Sequence, residues 1–318
     1  MKPDCITLDL AMPGWDGLTT LENIMTKYPV PVTILSAHSK KDADITIKCL
    51  NAGAVGFVLK PSGELSLDIK EVKHELLEQV KAASRVSPTR IKSLIRRKPR
   101  RPGRKLIAVD RIIVIGASTG GPQTLETILF SLSINLPVPV IIVQHMPNKF
   151  FTESLAEHLN KAGDLEVKVA DNGEALRPGK VYLAPGGFQT RIVADIRRPA
   201  YIRVTEDKPD ALSPSIDMTM KSVAEIYDGN TIGIILSGMG YDGREGMKAI
   251  KESGGRTIVQ DESSLIFGMP KAVIDEGYAD KVLPAGKIAD AIVEYVNTDI
   301  KTNNQDTRNN NQIITKFQ

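Results

Sequence analysis

Short apolar runs alternate along the chain with longer stretches in which apolar residues recur every three or four positions. The first pattern is that of a buried strand and the second that of an amphipathic helix. Early in the chain, CITLDL predicts a strand, GLTTLENIMTKY a helix, VTILSA a strand, KDADITIKCLNAG a helix, GFVLKP a strand and LSLDIKEVKHELLEQVKAA a helix. Farther on, RIIVIGAS, PVIIVQHM, VKVA, KVYLAPG, TIGIILSG and RTIVQ predict strands. TLETILFSL, KFFTESLAEHLNKA, IDMTMKSVAEIY, GREGMKAIKESG and IADAIVEYVN predict helices. Strands followed by helices imply parallel sheets with crossover connections. The expected fold class is therefore α/β, with two doubly wound parallel-sheet domains and no sequence repeat between them.

Charge separates the two. Between Arg85 and Lys105 the chain carries ten Lys or Arg and no acid, together with Pro88, Pro99, Pro102 and Gly103. Such a segment cannot bury a core and reads as a solvated tether, with nucleic-acid or acidic-surface binding as the other reading. The expected division is a first domain over 1–83, a basic linker over 84–108, a second domain over 109–298 and a polar, disordered tail over 299–318. A length of 318 residues suffices for two cores. No apolar run approaches the roughly 18 residues that cross a bilayer, and MKPDCITLDL lacks the features of a signal peptide. A cytoplasmic protein without membrane insertion is expected. Cys5 and Cys49 are too few for a disulfide framework and read as reduced core residues. A net charge of +3 is too small to argue for a nucleic-acid partner, and no helix-turn-helix pattern follows the first domain.

Candidate chemistry lies at strand ends of the second domain. RIIVI runs into Gly116-Ala117-Ser118-Thr119-Gly120-Gly121-Pro122 ahead of a helix. This is G-x-S-x-G between a strand and a helix, the setting of a nucleophile elbow. Taken alone the segment has three readings: Ser118 or Thr119 caps the helix, Ser118 is a nucleophile, or the glycines cradle a phosphate. The dinucleotide pattern and a Walker lysine are both absent. Two other strand ends shift the balance toward a nucleophile. PVIIVQ ends at His145, and TIGIILSG ends near Asp242 in Ser237-Gly238-Met239-Gly240-Tyr241-Asp242-Gly243. Sites in open parallel sheets collect beyond the carboxyl ends of strands. A serine hydroxyl needs a base, and the base needs a carboxylate to fix its tautomer. Of His38, His74, His145 and His158, the second and fourth fall among polar helical neighbours and are expected to be solvated, while His38 belongs to the first domain. His145 is therefore the best base. The order Ser, His, Asp differs from that of the α/β-hydrolases, and Asp242-Gly243 also reads as a simple turn.

GASTGGP, QHMP and SGMGYDG, in this order and spacing, resemble the signature segments of the chemotaxis methylesterase family, CheB. The resemblance spans the second domain and includes YLAPGG at Tyr182 and SPSID at Ser213. It implies that Ser118 is the nucleophile, His145 the general base and Asp242 its orienting acid. Thr119 would lie beside the serine, and the Met239 N–H would donate to the oxyanion. The implied reaction is hydrolysis of glutamate γ-methyl esters on methyl-accepting chemotaxis receptors, releasing methanol, with deamidation of receptor glutamines as a second activity. No metal or other cofactor is implied for catalysis.

The first domain resembles a response-regulator receiver through LDLAMPGWDGL, LSAHS and FVLKP. The resemblance implies Asp9 as phosphoacceptor, Ser36 as switch hydroxyl and Lys60 as the phosphate-pairing lysine. A chemotaxis histidine kinase would be the phosphodonor and Mg²⁺ the cofactor. In that family the receiver covers the esterase crevice until phosphorylated. This sequence departs from the pattern: it starts at what would be the third strand, and no acidic pair precedes Asp9. Only Asp9 of the metal set is present, too little for magnesium-supported phosphorylation. A mistaken start codon or a fragment is the expected explanation, and the incomplete cover is expected to leave the chain partly active. The competing function is a phosphorylation-controlled receptor-binding protein without catalysis, against which the complete Ser-His-Asp set argues.

Overall fold

The computed structural model of the chain describes residues 3–12, 15–61, 69–87, 89–91, 111–133, 135–195, 198–206 and 212–297. The expected tail and most of the expected linker, residues 92–108, lie outside them. The N-terminal elements are β1 (Ile6–Asp9), the short strands β2 (Ala11–Met12) and β3 (Trp15–Asp16), α1 (Gly17–Lys27), β4 (Val32–Ser36), α2 (Lys40–Asn51), β5 (Gly56–Leu59) and α3 (Ile69–Ser84). β1, β4 and β5 form a parallel sheet with β4 in the centre. Two helix starts follow from local chemistry: Asp16 accepts the Leu18 and Thr19 N–H groups at α1, and Ser39 accepts that of Asp42 at α2.

The remaining elements are β6 (Ile112–Ala117), α4 (Gly121–Ser131), β7 (Val140–Gln144), α5 (Lys149–Ala162), β8 (Glu166–Val169), β9 (Lys180–Leu183), β10 (Phe188–Asp195), β11 (Arg198–Glu206), α6 (Ile216–Tyr227), β12 (Thr231–Ile235), α7 (Arg244–Glu252), β13 (Arg256–Gln260), α8 (Met269–Asp275) and β14 (Lys281–Leu283). A last helix, α9, covers 285–297. Seven strands form a parallel sheet in the order β14-β13-β12-β6-β7-β9-β8. β6, β7 and β12 are buried at every position, as strands covered on both faces must be. From β6 the chain builds outward through β7 to β8 and β9, then returns to the other side of β6 for β12, β13 and β14. The direction of winding thus reverses between β6 and β12, and a crevice opens beyond their carboxyl ends.

The doubly wound reading holds, but the pattern of apolar positions missed β14, α8 and the antiparallel hairpin β10–β11. In the hairpin Ile192 and Ile202 are buried while Arg191 and Arg203 face each other across the ladder. One face therefore rests on protein and the other is polar, which dilutes the apolar signal. The hairpin packs on α6: the Ser222 hydroxyl accepts the Ile192 N–H at 2.9 Å, and the Thr219 hydroxyl donates to the Thr190 carbonyl at 2.7 Å. It thereby holds the helix whose N-terminus enters the crevice.

The two sheets share one apolar core that includes Leu50 and Ala54 from one side and Leu125 and Phe151 from the other. Phe57 stacks on Phe151 with centroids 4.9 Å apart. The Gln123 amide donates to the Leu50 carbonyl at 2.6 Å and the Ala54 carbonyl at 2.9 Å, closing the C-terminal end of α2. The Ser154 hydroxyl bonds Asp44. The expected solvated tether needs correction at its start: Val86 and Ile91 are buried in this core, because apolar side chains spaced along a basic segment still find the seam between the sheets. His158 is likewise not solvated; it is half-buried and bonds Glu126 at 3.2 Å. Cys49 is buried, Cys5 is partly so, and both are free thiols.

Candidate active site

Backbone hydrogen bonds that continue the sheet beyond its strands set the frame. The Ser118 N–H donates to the Ser237 carbonyl (3.0 Å), the His145 N–H to the Ala117 carbonyl (2.9 Å) and the Leu236 N–H to the Gly116 carbonyl (2.9 Å). The three strand ends picked out in the sequence therefore lie abreast. Ser118, His145 and Asp242 all line one cleft of about 720 Å³, together with Thr119, Met239, Tyr241 and Asp217.

Of the three readings of the Ser118 segment, the cap does not hold. The N-cap of α4 is Gly120, at φ +78°, and no side chain caps that helix. Neither Ser118 nor Thr119 is committed to capping. The Ser118 Oγ makes no hydrogen bond among the described residues, while its carbonyl accepts from the Gln144 amide at 3.0 Å. Space beside it is kept by Gly238, where a Cβ would sit 2.8 Å from the Ser118 Cβ. Gly238→Ala should displace the hydroxyl and lower kcat by about 10²-fold, the scale of a 1 Å misplacement, with the fold retained by circular dichroism. An unchanged kcat would show that this close approach is irrelevant.

His145 Nε2 bonds Asp242 Oδ2 at 2.9 Å, with the two side chains only 16% and 12% exposed. This leaves Nδ1 as the nitrogen available to a proton in the cleft. Asp242 is held in turn at the N-terminus of α6: Oδ2 accepts the Ile216 N–H at 2.8 Å, and Oδ1 accepts the Asp217 N–H at 2.9 Å and the Ser215 hydroxyl at 3.3 Å. Burial alone would raise the Asp242 carboxyl, but the bonds from His145, Asp217 and Ile216 outweigh it and hold it below the usual carboxylate range. Asp217 is shifted the other way. Burial raises its carboxyl, the charge of Asp242 adds to this, and the Gly246 N–H opposes it. The Met239 N–H has no acceptor among the described residues, whereas its neighbour Gly238 donates to the Ile266 carbonyl at 3.1 Å. A half-buried serine hydroxyl without a partner among the described residues, an imidazole fixed by a carboxylate and a free backbone donor can together carry out acyl transfer to water.

The receiver-type residues are brought together only in part. Lys60 Nζ bonds Asp9 Oδ2 at 2.6 Å. Burial would raise the Asp9 carboxyl, but Lys60 and the Ala11 N–H hold it below its ordinary value. Ser36 lies at the end of β4, yet its hydroxyl is fully buried and bonded by Thr46 at 2.7 Å, on the α2 side of the strand. Among the described residues no three His, Cys, Asp or Glu side chains converge. Asp9 is engaged by Lys60 and Ala11, so the residues present do not fit a Mg²⁺ site.

The chain matches the family model described as CheB methylesterase over residues 113–292, more than half its length. It belongs to the CheB methylesterase family. A second family model, the response regulator receiver domain, matches residues 1–70. Among curated relatives, a protein-glutamate methylesterase/protein-glutamine glutaminase of Thermotoga maritima is 43% identical over 298 residues, covering 93% of this chain and 86% of that protein. Proteins with the same description from Archaeoglobus fulgidus and Pyrococcus horikoshii are 44% and 38% identical, each over 93% of this chain and 86% and 81% of their own length. The crystal structure of the Thermotoga maritima CheB methylesterase catalytic domain superposes with a TM-score of 0.56 at 45% identity, over 58% of this chain and 98% of that one. The parallel α/β fold and the family are thus shared.

Several side chains at the site carried no signal in the sequence. SPSID stood out only as a likeness, and its part in holding Asp242 rests on backbone N–H groups. Gln79 and Glu75, from α3, line the cleft beside Ser118. Nothing in the helical pattern of α3 marks them, because their partners lie in the other sheet.

Proposed function

We propose that this CheB-family enzyme hydrolyses glutamate γ-methyl esters on methyl-accepting chemotaxis receptors and deamidates receptor glutamines, through Ser118, His145 and Asp242. The observation that carries the reading is the His145–Asp242 hydrogen bond in the cleft that also holds the uncommitted Ser118 hydroxyl. Ser118 Oγ attacks the side-chain carbonyl carbon while His145 Nδ1 takes its proton. Asp242 keeps the other imidazole proton on Nε2 and stabilises the imidazolium. The oxyanion is met by the Met239 N–H, and loss of one such donor typically costs about 10²–10³ in rate. Collapse expels methanol, or ammonia from a glutamine, with the proton returned from His145. Water, deprotonated by His145, then cleaves the glutamyl ester on Ser118 and restores the serine. Methanol release from methylated receptor and ammonia release from glutamine-bearing receptor test the reading; absence of both sinks it.

Control by the receiver-like segment, with a chemotaxis histidine kinase as partner and Asp9 as acceptor position, belongs to the same proposal. Leu50, Gly56, Phe57 and Leu59 form one wall of the cleft. β5 carries that wall directly into Lys60, the partner of Asp9. Access of a receptor helix requires the wall to withdraw. Among the described residues no helix is long and apolar enough to cross a membrane. Gln123→Leu would leave the buried Ala54 carbonyl without a donor and the Leu50 carbonyl with only the Gly53 N–H at 3.1 Å, a loss of about 1–3 kcal/mol from docking. The basal hydrolysis rate should rise by about 5- to 150-fold, measured as ammonia release without a phosphodonor. A lower or equal rate would mean that the wall does not limit access.

A further inference from the structure

The cleft is occupied in part by a side chain of the same kind that the proposed reaction consumes. Gln79 projects from α3, and its carboxamide and the Thr119 hydroxyl exchange hydrogen bonds: Nε2 donates to Oγ1 at 3.1 Å, and Oγ1 reaches Oε1 at 3.4 Å. Thr119 is the residue after the uncommitted serine. Room for the contact comes from Gly56, where a Cβ would sit 2.8 Å from Gln79 Oε1 and 3.0 Å from Thr119 Cγ2. Glu75 stands one helical turn before Gln79 on the same face of α3 and lines the same cleft. The site therefore faces a helix that presents a glutaminyl side chain, with an acid four residues earlier. No hydrogen bond runs from the carboxamide to Ser118 Oγ or to the Met239 N–H, so the side chain is held beside the reacting position.

We propose that α3 is a built-in stand-in for the substrate helix, with Gln79 bound through Thr119 in the place of the substrate's glutaminyl or methyl-glutamyl side chain. This rests on the hydrolase reading of the same cleft. It adds the pose: the substrate enters as a helix lying where α3 lies, with an acidic residue one turn before the target over the position of Glu75. An ordinary domain contact would need only a polar residue at position 79. A stand-in needs the glutaminyl group, and it competes with substrate.

Two measurements on the full chain test this with glutamine-bearing receptor as substrate. Gln79→Ala should lower KM by about fivefold, the factor that corresponds to roughly 1 kcal/mol, with kcat unchanged. A synthetic peptide of the α3 sequence, cyclised on its solvent side to keep it helical, should inhibit the Gln79→Ala enzyme competitively. The same peptide with the glutamine replaced by alanine should not. Ser118-dependent hydrolysis of the Gln79 carboxamide to a carboxylate, with ammonia leaving, would also support the placement and is read by mass spectrometry of the purified chain. The proposal is overturned if Gln79→Ala leaves KM unchanged, or if the two peptides inhibit equally. Complete absence of receptor hydrolysis by the unaltered chain would instead overturn the hydrolase reading, and is distinguishable because KM then cannot be measured at all.

Discussion

Ser118→Ala should lower kcat for methanol release by about 10⁴- to 10⁶-fold, the range found when the nucleophile of a serine triad is removed. The size of the loss follows from the isolation of the hydroxyl. Among the described residues Ser118 Oγ has no structural partner, so alanine removes the reacting atom and little else. The elbow itself is held by backbone bonds, Ser118 N–H to the Ser237 carbonyl and Gly121 N–H to the Ser118 carbonyl at 2.7 Å. Alanine keeps both. Thermal stability should accordingly stay near that of the parent, and the binding of a glutamine-bearing receptor helix should persist. Equal rates in the two proteins would remove Ser118 from the mechanism.

Asp242→Asn should lower kcat by about 10⁴-fold and should also alter stability, because this carboxylate has two duties. Both oxygens accept: Oδ2 from His145 and Ile216, Oδ1 from Asp217, Ser215 and Gly243. An asparagine offers one acceptor and one donor, so its NH₂ must face donors whichever way it turns. If it faces His145, the imidazole proton is driven to Nδ1 and the base loses its lone pair in the cleft. If it faces Asp217, the N-terminus of α6 loses an acceptor. The pH dependence carries a second signature. Asp242 is held below its ordinary value of 3.8 in the folded chain, so its contribution to stability is complete above that value and is lost as pH falls through the lowered one. Denaturant unfolding of the unaltered chain should show this loss below about pH 4, and Asp242→Asn should show a smaller one, since Asp9 and Asp280 are also held below their ordinary values. Retention of parental kcat would exclude Asp242 as the orienting acid.

The frame of the candidate site was legible in the sequence because it depends on local patterns. β6, β7 and β12 are continuous apolar runs, and Ser118, His145 and Asp242 lie just past their ends. What the runs could not reveal is which strands are neighbours. That needed the winding reversal between β6 and β12, and a pairing such as Ile235 with Gly116 has no local trace. The fate of the Ser118 segment was undecidable from G-x-S-x-G alone, since a cap and a nucleophile use the same residue. The left-handed Gly120 at the N-cap of α4 removes the cap reading. Hairpin β10–β11 was missed because its outward face is polar, and β14 because a three-residue edge strand carries too few apolar positions. Gln79 and Gln123 were missed for a different reason: their hydrogen-bond partners belong to the other half, so their own segments read as ordinary helix surface. Asp9, Ser36 and Lys60 lie at the ends of the three neighbouring strands β1, β4 and β5; Lys60 reaches past β4 to contact Asp9 at 2.6 Å, while the Ser36 hydroxyl is bonded by Thr46.

The seam between the two sheets is packed as an interior. Phe57 stacks on Phe151, Gln123 closes α2, and Val86 and Ile91 are buried in the common core. Covalent continuity between the halves is then not what keeps them together. A chain cut between residues 92 and 110 should migrate as one particle, and the two pieces, produced separately and mixed, should find each other as a non-covalent pair. Under the proposed control by the receiver-like segment, the N-terminal half would be a ligand of the other half at very high local concentration, and a signal that frees the cleft would have to overcome an affinity stored in the seam.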